Sequence, residues 1–253
     1  MSRFQGKSAL VTGAATGIGR AIAVRLASEG ATVAVNHLPG QDWGETEAAI
    51  AAVGGTASSY PVDLRDVTAT RQMVDDVAAA QGGIDFLVSN AGINPLLTWQ
   101  EITDDIWDDL HTTILRACWT LSQQSALHMV EQKRGGAIVA ISSISARVGS
   151  AEQVAYCAQK AGVSALMMSL GCVLGEHGIR CNSVLPGPIE TAMAQPLFDD
   201  PEILKYYVDR VPLHRIGQPR DIAGVVAFLC SDDAAYVNTT EILVDGGFIA
   251  NAE

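Results

Sequence analysis

A glycine-rich turn between an apolar run and a helix constrains this chain more than any other feature. Ser8-Ala9-Leu10-Val11 reads as a short buried strand, and Arg20 to Ala27 carries an apolar stripe at helical spacing. Between them lies Thr12-Gly13-Ala14-Ala15-Thr16-Gly17-Ile18-Gly19. Glycines let the backbone approach a pyrophosphate, and the first turn of a helix offers free N–H groups and a partial positive charge. Strand, glycine turn and helix together are the context of a dinucleotide site, with Gly13, Thr16, Gly17, Ile18 and Gly19 as its candidate residues. The spacing is Gly-x-x-x-Gly-x-Gly, not the commoner Gly-x-Gly-x-x-Gly.

The rest of the chain repeats that rhythm. Strand-like runs at 32–35, 57–62, 86–89, 137–141, 180–185 and 241–244 alternate with helical stretches, among them 47–53, 73–80 and 107–131. With the first strand this predicts a single doubly wound α/β domain over 1–253, its seven-stranded, mostly parallel sheet covered by helices on both faces. The 253 residues, 48% of them hydrophobic, suffice for one large core. Four prolines punctuate residues 188–218 and Pro219 follows directly, while Phe198, Tyr206 and Tyr207 add apolar weight, so this segment is expected to form a lid over a substrate or a loop packed on the body. No apolar run reaches the ~18 residues that span a bilayer. Met1 to Lys7 leads directly into the first strand, so no signal peptide is expected. Five cysteines without a C-x-x-C pair fit a reduced, cytoplasmic setting. The net charge of −12 argues against a nucleic-acid surface. His111, His128, His177 and His214 lack metal-like spacing, and no metal is expected.

A second constellation carries chemistry. Tyr156 and Lys160 stand one helical turn apart, with Ser143 upstream. On a helix the phenol and the ammonium share a face. An unperturbed tyrosine titrates at ~10, and a nearby cation favours its phenolate. The expectation is a phenol that trades protons near neutral pH, with the Ser143 hydroxyl bonded to the same substrate oxygen.

Together these motifs resemble the short-chain dehydrogenase/reductase family over nearly the whole chain. Asp63-Leu64 resembles the family's adenine border, and Asn90-Ala91-Gly92 its Asn-Ala-Gly turn beside the cofactor. Pro186-Gly187, with Ile189 and Thr191 beyond, resembles the stretch around the nicotinamide carboxamide. Val244-Asp245-Gly246-Gly247 recurs near the end. The resemblance implies that Tyr156 exchanges a proton with the substrate oxygen while hydride moves to or from the nicotinamide. Lys160 would lower the tyrosine pKa and hold the nicotinamide ribose, and Ser143 would orient the substrate; Ser142 reads as structural. It also implies a homotetramer. Two positions depart from the pattern. Ile114 stands where relatives have an asparagine that holds a relay water, leaving Thr113 or a backbone carbonyl to do so. Thr239 stands where glycine is common.

Relatives selective for NAD end the second strand with a carboxylate; here the residues are Asn36 and His37. Both could bind a phosphate weakly or merely cap the strand, so the cofactor is expected to be NADP or NAD, with NADP slightly favoured. The stretches 136–146 and 178–187 look like those of bacterial aldose 1-dehydrogenases, L-rhamnose dehydrogenases among them. That implies a small-molecule sugar or polyol, and Asn94, Ser145, Glu152 and Gln153 are the candidate polar partners. Arg147 is a further candidate for an anionic group. The alternatives are a reductase of 3-oxoacyl or cyclic ketones and, prompted by Ile114, a nucleotide-binding protein without turnover.

Overall fold

Parallel strands covered on both faces need apolar side chains in both directions, and the sequence supplies them. In β1 (Ser8–Val11), Ala9 and Val11 face one layer while Leu10 faces the other. The computed structural model describes residues 2–251; Met1, Ala252 and Glu253, the ends of the domain expected over 1–253, lie outside them. The other strands are β2 (Thr32–His37), β3 (Thr56–Pro61), β4 (Phe86–Ser89), β5 (Gly136–Ile141), β6 (Ile179–Pro186) and β7 (Glu241–Val244). They lie in the order β3-β2-β1-β4-β5-β6-β7, and every neighbouring pair is parallel, so the sheet is wholly rather than mostly parallel.

Nine helices cover the sheet among the described residues: α1 (Gly17–Ser28), α2 (Gly44–Ala52), α3 (Val67–Gln81), α4 (Asp104–Leu110), α5 (Ala117–Gln132), α6 (Val154–Leu174), α7 (Gln195–Phe198), α8 (Pro201–Arg210) and α9 (Pro219–Cys230). One core joins Val33, Val35, Val88 and Val139 to Ile22 and Leu26 of α1 and Ile222 and Val226 of α9. The other joins Leu87, Ile138 and Ala140 to Val74 of α3, Leu121 of α5 and Met167 of α6. Local signals set the ends of α3: the Asp66 carboxylate accepts from Ala69 N (3.0 Å), and Gly82 stops the helix at φ 71°. The long segment expected over 107–131 is not continuous, because His111–Arg116 form a π-helical turn between α4 and α5. By length and apolarity alone, α6 with its following turn would suit a membrane. In the fold it packs on β5 and β6, burying Val163, Met167 and Leu170.

After β3 the chain returns to the other side of β1 to form β4. A crevice opens outside the carboxyl ends of the strands at such a reversal. The glycine turn follows β1 there, and the Asn90 turn follows β4.

Candidate active site

Asn90 ties these two turns together. Its Nδ2 donates to Thr12 O (2.9 Å) and Gly13 O (3.2 Å), while Thr12 Oγ1 accepts from Asn90 N (3.0 Å) and Ala91 N (3.2 Å). Gly13 has φ 59°, and a Cβ there would stand 2.9 Å from Ala91 Cα. At Gly19 a Cβ would meet Gly13 O at 2.3 Å. Gly19 does not line the crevice; it lets α1 fold tightly against the turn. No side chain caps α1 at Thr16, and its first turn has no acidic residue, so its leading N–H groups are available to an anion.

The crevice is a cavity of about 780 Å³. Gly13, Thr16, Gly17 and Ile18 form one wall, with Asn90, Ala91 and Gly92 beside them. Pro186, Gly187, Ile189 and Thr191 form the opposite wall. Asn36, His37, Asp63 and Leu64 close one end. There the Asn36 amide is already committed: Nδ2 donates to Tyr60 O (3.1 Å) and Val62 O (3.0 Å), and Oδ1 faces Gly13 N (3.4 Å). Asn36 therefore joins β2, β3 and the glycine turn, and its amide hydrogens are not available to a phosphate. His37 Nδ1 faces Leu38 O (2.9 Å), Nε2 faces Ser59 Oγ (2.8 Å), and the ring stacks on Trp43. Arg65 bridges Asp63 (2.7 Å) and Asp109 (2.9 Å), and its hydrogen bonds hold the Asp63 carboxyl below the usual carboxylate range.

At the centre, α6 carries Tyr156 and Lys160 on one face, with Lys160 Nζ 5.5 Å from the centre of the Tyr156 ring. Lys160 is buried, and its ammonium donates to Ile141 O (2.7 Å). Ser142 is structural, as expected: it donates to Lys160 O (2.8 Å) and accepts from Ser164 Oγ (3.1 Å). Ser143 Oγ accepts from Ser145 N (3.1 Å). The expected lowering of the phenol pKa is not what the packing produces. Burial pushes Tyr156 up to about 12, against a smaller pull from its hydrogen bond with Ser143. Burial also takes Lys160 down to about 8. Helical spacing brings the two groups together, but the same packing strips water from both.

Ile114 is buried in the π-helical turn. A Cβ on Gly92 would stand 3.7 Å from both Ile114 Cγ1 and Lys160 Nζ, so the isoleucine packs beside the lysine. Thr113, one of the two suggested substitutes for the asparagine, lines the cavity.

Asn94, Ser145, Glu152 and Gln153 all line the remaining end. Asn94 Oδ1 is buried without a partner among the described residues. Ser145 Oγ donates to Gln153 Oε1 (3.0 Å), which leaves the Gln153 amide hydrogens for another acceptor. Glu152 is exposed at the mouth. Arg147 does not line the cavity and pairs with Glu241 (Nε–Oε2 2.8 Å). Within the 188–218 segment, residues of α7 and α8 line the cavity. Phe198 and Tyr207 meet edge to face, and Tyr207 stacks on Phe248 at 5.5 Å. Phe248 and Arg210 were not singled out by the sequence; the signal for Phe248 was its place after Gly246-Gly247, where Asp245 accepts from Gly247 N and Ile249 N and turns the chain. An apolar recess lined by Ile93, Leu97, Ile106 and Met193 adjoins the cavity at Asn94. Among the described residues no His/Cys/Asp/Glu cluster could hold a metal, and all five cysteines are free.

Sequence and structure comparisons agree with this geometry. Residues 13–249 match a family model described as enoyl-(acyl carrier protein) reductase. The chain is 42% identical to the L-rhamnose-1-dehydrogenase of Scheffersomyces stipitis, covering 99% of this chain and 98% of that one. It is also 42% identical to the L-rhamnose 1-dehydrogenase (NAD(P)(+)) of Sphingomonas sp., over the full length of both. A crystal structure from Sinorhizobium meliloti 1021, named provisionally as a short-chain alcohol dehydrogenase, superposes with a TM-score of 0.94 at 36% identity, covering 98% of each chain. With the uncapped α1 turn, the Asn90 tie and the Ser143, Tyr156 and Lys160 corner in one crevice, the chain belongs to the short-chain dehydrogenase/reductase family of oxidoreductases.

Proposed function

We propose that this protein is an NAD(P)-dependent aldose 1-dehydrogenase, oxidising the hydroxyl at C1 of a sugar lactol to a lactone. The observation that carries the reading is the joining of Ser143, Tyr156 and Lys160 in one cavity to an end walled by the polar residues Asn94, Ser145, Glu152 and Gln153. A hydroxyl buried without a partner costs roughly 1–3 kcal/mol, so a wall with several polar groups favours a ligand rich in hydroxyls. The 42% identity to two L-rhamnose 1-dehydrogenases supports the same substrate class.

The residues present fit a nicotinamide dinucleotide. The uncapped start of α1 suits its pyrophosphate, and the absence of a carboxylate at the end of β2 does not repel a 2′-phosphate. When bound, an oxidised nicotinamide supplies the hydride acceptor and a positive charge. Ser143 Oγ would hold the substrate oxygen, and Tyr156, once ionised to its phenolate, would take the proton from it and return to the phenol. Lys160 places a cation beside the phenol, offsetting the cost of the phenolate. We also expect a cytoplasmic homotetramer, which light scattering on the purified protein would test.

The test follows reduced-nicotinamide absorbance with NADP or NAD against a panel of aldoses, then NADPH against ketones. Reduction by an aldose that Tyr156→Phe lowers by about 100-fold or more, with cofactor binding unchanged, supports the proposal. Turnover only with 3-oxoacyl or cyclic ketones would make it a carbonyl reductase. Cofactor binding without any turnover would make Ile114 the mark of a non-catalytic relative.

A further inference from the structure

Two side chains that do not line the cavity hold the back of the glycine turn. Thr46, in the first turn of α2, is wholly buried, and its Oγ1 lies 2.9 Å from Ala15 O and 3.1 Å from Ala14 O. Arg20 of α1 reaches the same place. Its Nε is shared between Ala15 O (3.1 Å) and Thr46 Oγ1 (3.0 Å), and its Nη2 donates to Ala15 O (2.9 Å). Nη1 pairs with Glu45 (2.7 Å), which fixes the guanidinium between the two helices. Thr46 thus accepts from Arg20 and gives its own proton to the turn. Packing alone would be served equally well by a valine at 46, so the hydroxyl has a purpose beyond filling space.

The Ala15–Thr16 peptide is trans, so its C=O and N–H point in opposite directions. Holding Ala15 O towards α2 turns Thr16 N–H away from α2, and Thr16 is where the cavity wall resumes after Gly13. Among the described residues no group accepts from Thr16 N. A guanidinium on Ala15 O also polarises this peptide and strengthens its N–H as a donor. We propose that Thr46 and Arg20 are positioning residues for the cofactor pyrophosphate: through Ala14 O and Ala15 O they aim Thr16 N–H, and the free N–H groups that follow it in α1, at the phosphate oxygens. The inference rests on the dinucleotide site and is independent of the aldose reading.

The experiment measures by calorimetry the Kd for ADP-ribose, which carries the pyrophosphate but no nicotinamide, at a temperature where circular dichroism shows each variant folded. Thr46→Val keeps the shape and removes the hydroxyl; it should weaken ADP-ribose roughly 5- to 10-fold. Thr46→Ser keeps the hydroxyl and removes the methyl; it should stay within about twofold of the wild type. Arg20→Lys keeps the charge but not the forked hold on Ala15 O, and should weaken binding about threefold or more. A packing role would give the reverse order, with serine binding worse than valine. That order, or an unchanged Kd in Thr46→Val, overturns the proposal. Should the valine variant fail to fold, Arg20→Lys carries the test, and an unchanged Kd there overturns the proposal in the same way.

Discussion

Burial acts on Tyr156 and Lys160 in opposite senses, and each consequence can be measured. Lys160 falls from 10.5 to about 8, so between those values the unfolded chain binds more protons than the folded one, and this burden on stability lifts as pH rises. Lys160→Met should therefore stabilise the unliganded fold at pH 7 by about 1–2 kcal/mol, after loss of the bond to Ile141 O, while abolishing turnover. The advantage should shrink from pH 8 to 10.5 in urea titrations. Tyr156 works the other way: with its pKa up at about 12, it withdraws stability as pH climbs from 10 towards 12. Neither shift is legible in the sequence, because spacing reports proximity and not dehydration. The sequence did expose Thr239, which adopts φ 57°, a left-handed conformation that glycine takes without strain. Thr239→Gly forfeits the hydroxyl bond to Asn238 O but relieves the backbone, and should raise stability by about 0.5–1 kcal/mol in thermal melts.

Elements were legible where apolar runs ended sharply. The observed β4 and β7 match the runs at 86–89 and 241–244. The strand expected at 57–62 lies at Thr56–Pro61, because β3 is a half-exposed edge strand whose polar Thr56, Ser58 and Ser59 blur its start. The prolines in and just after 188–218 read as breaks, yet Pro201 opens α8 and Pro219 opens α9, first-turn positions where a missing N–H costs nothing. The π-helical turn has no comparable signature, since Ile114 and its neighbours suit an ordinary helix. What holds this segment is also tertiary: α8 packs on the residues after β7 through the Tyr207–Phe248 stack and Asn251. An aromatic pair contributes about 1 kcal/mol beyond its buried area. Phe248→Ala should therefore raise KM about fivefold or more, with a smaller effect on kcat, in steady-state assays.

Across the whole molecule, the sheet is pinned at the end away from the site. Asp85 is 3% exposed, accepts from Ser8 N (3.0 Å), and pairs with Lys7 (3.3 Å) and Arg134 (3.0 Å), joining β1, β4 and the approach to β5. Both cations are half-exposed, so water tempers the loss; Asp85→Ala should cost about 2–3 kcal/mol in denaturant titrations and leave kcat unchanged at low temperature. The opposite end of the same strands depends on partners far apart in the chain. The turn after β1 is bonded to Asn90, and Thr191 Cγ2 lies 3.6 Å from the place a Cβ on Gly17 would take. During synthesis the amino-terminal β1-α1-β2 segment therefore leaves the ribosome with its turn unbraced. The Asn90 brace arrives only when β4 inserts beside β1, and the facing wall only after β6 has emerged. A nascent chain halted before that point would have little hold on nucleotide, so cofactor capture marks the end of folding and does not template its start.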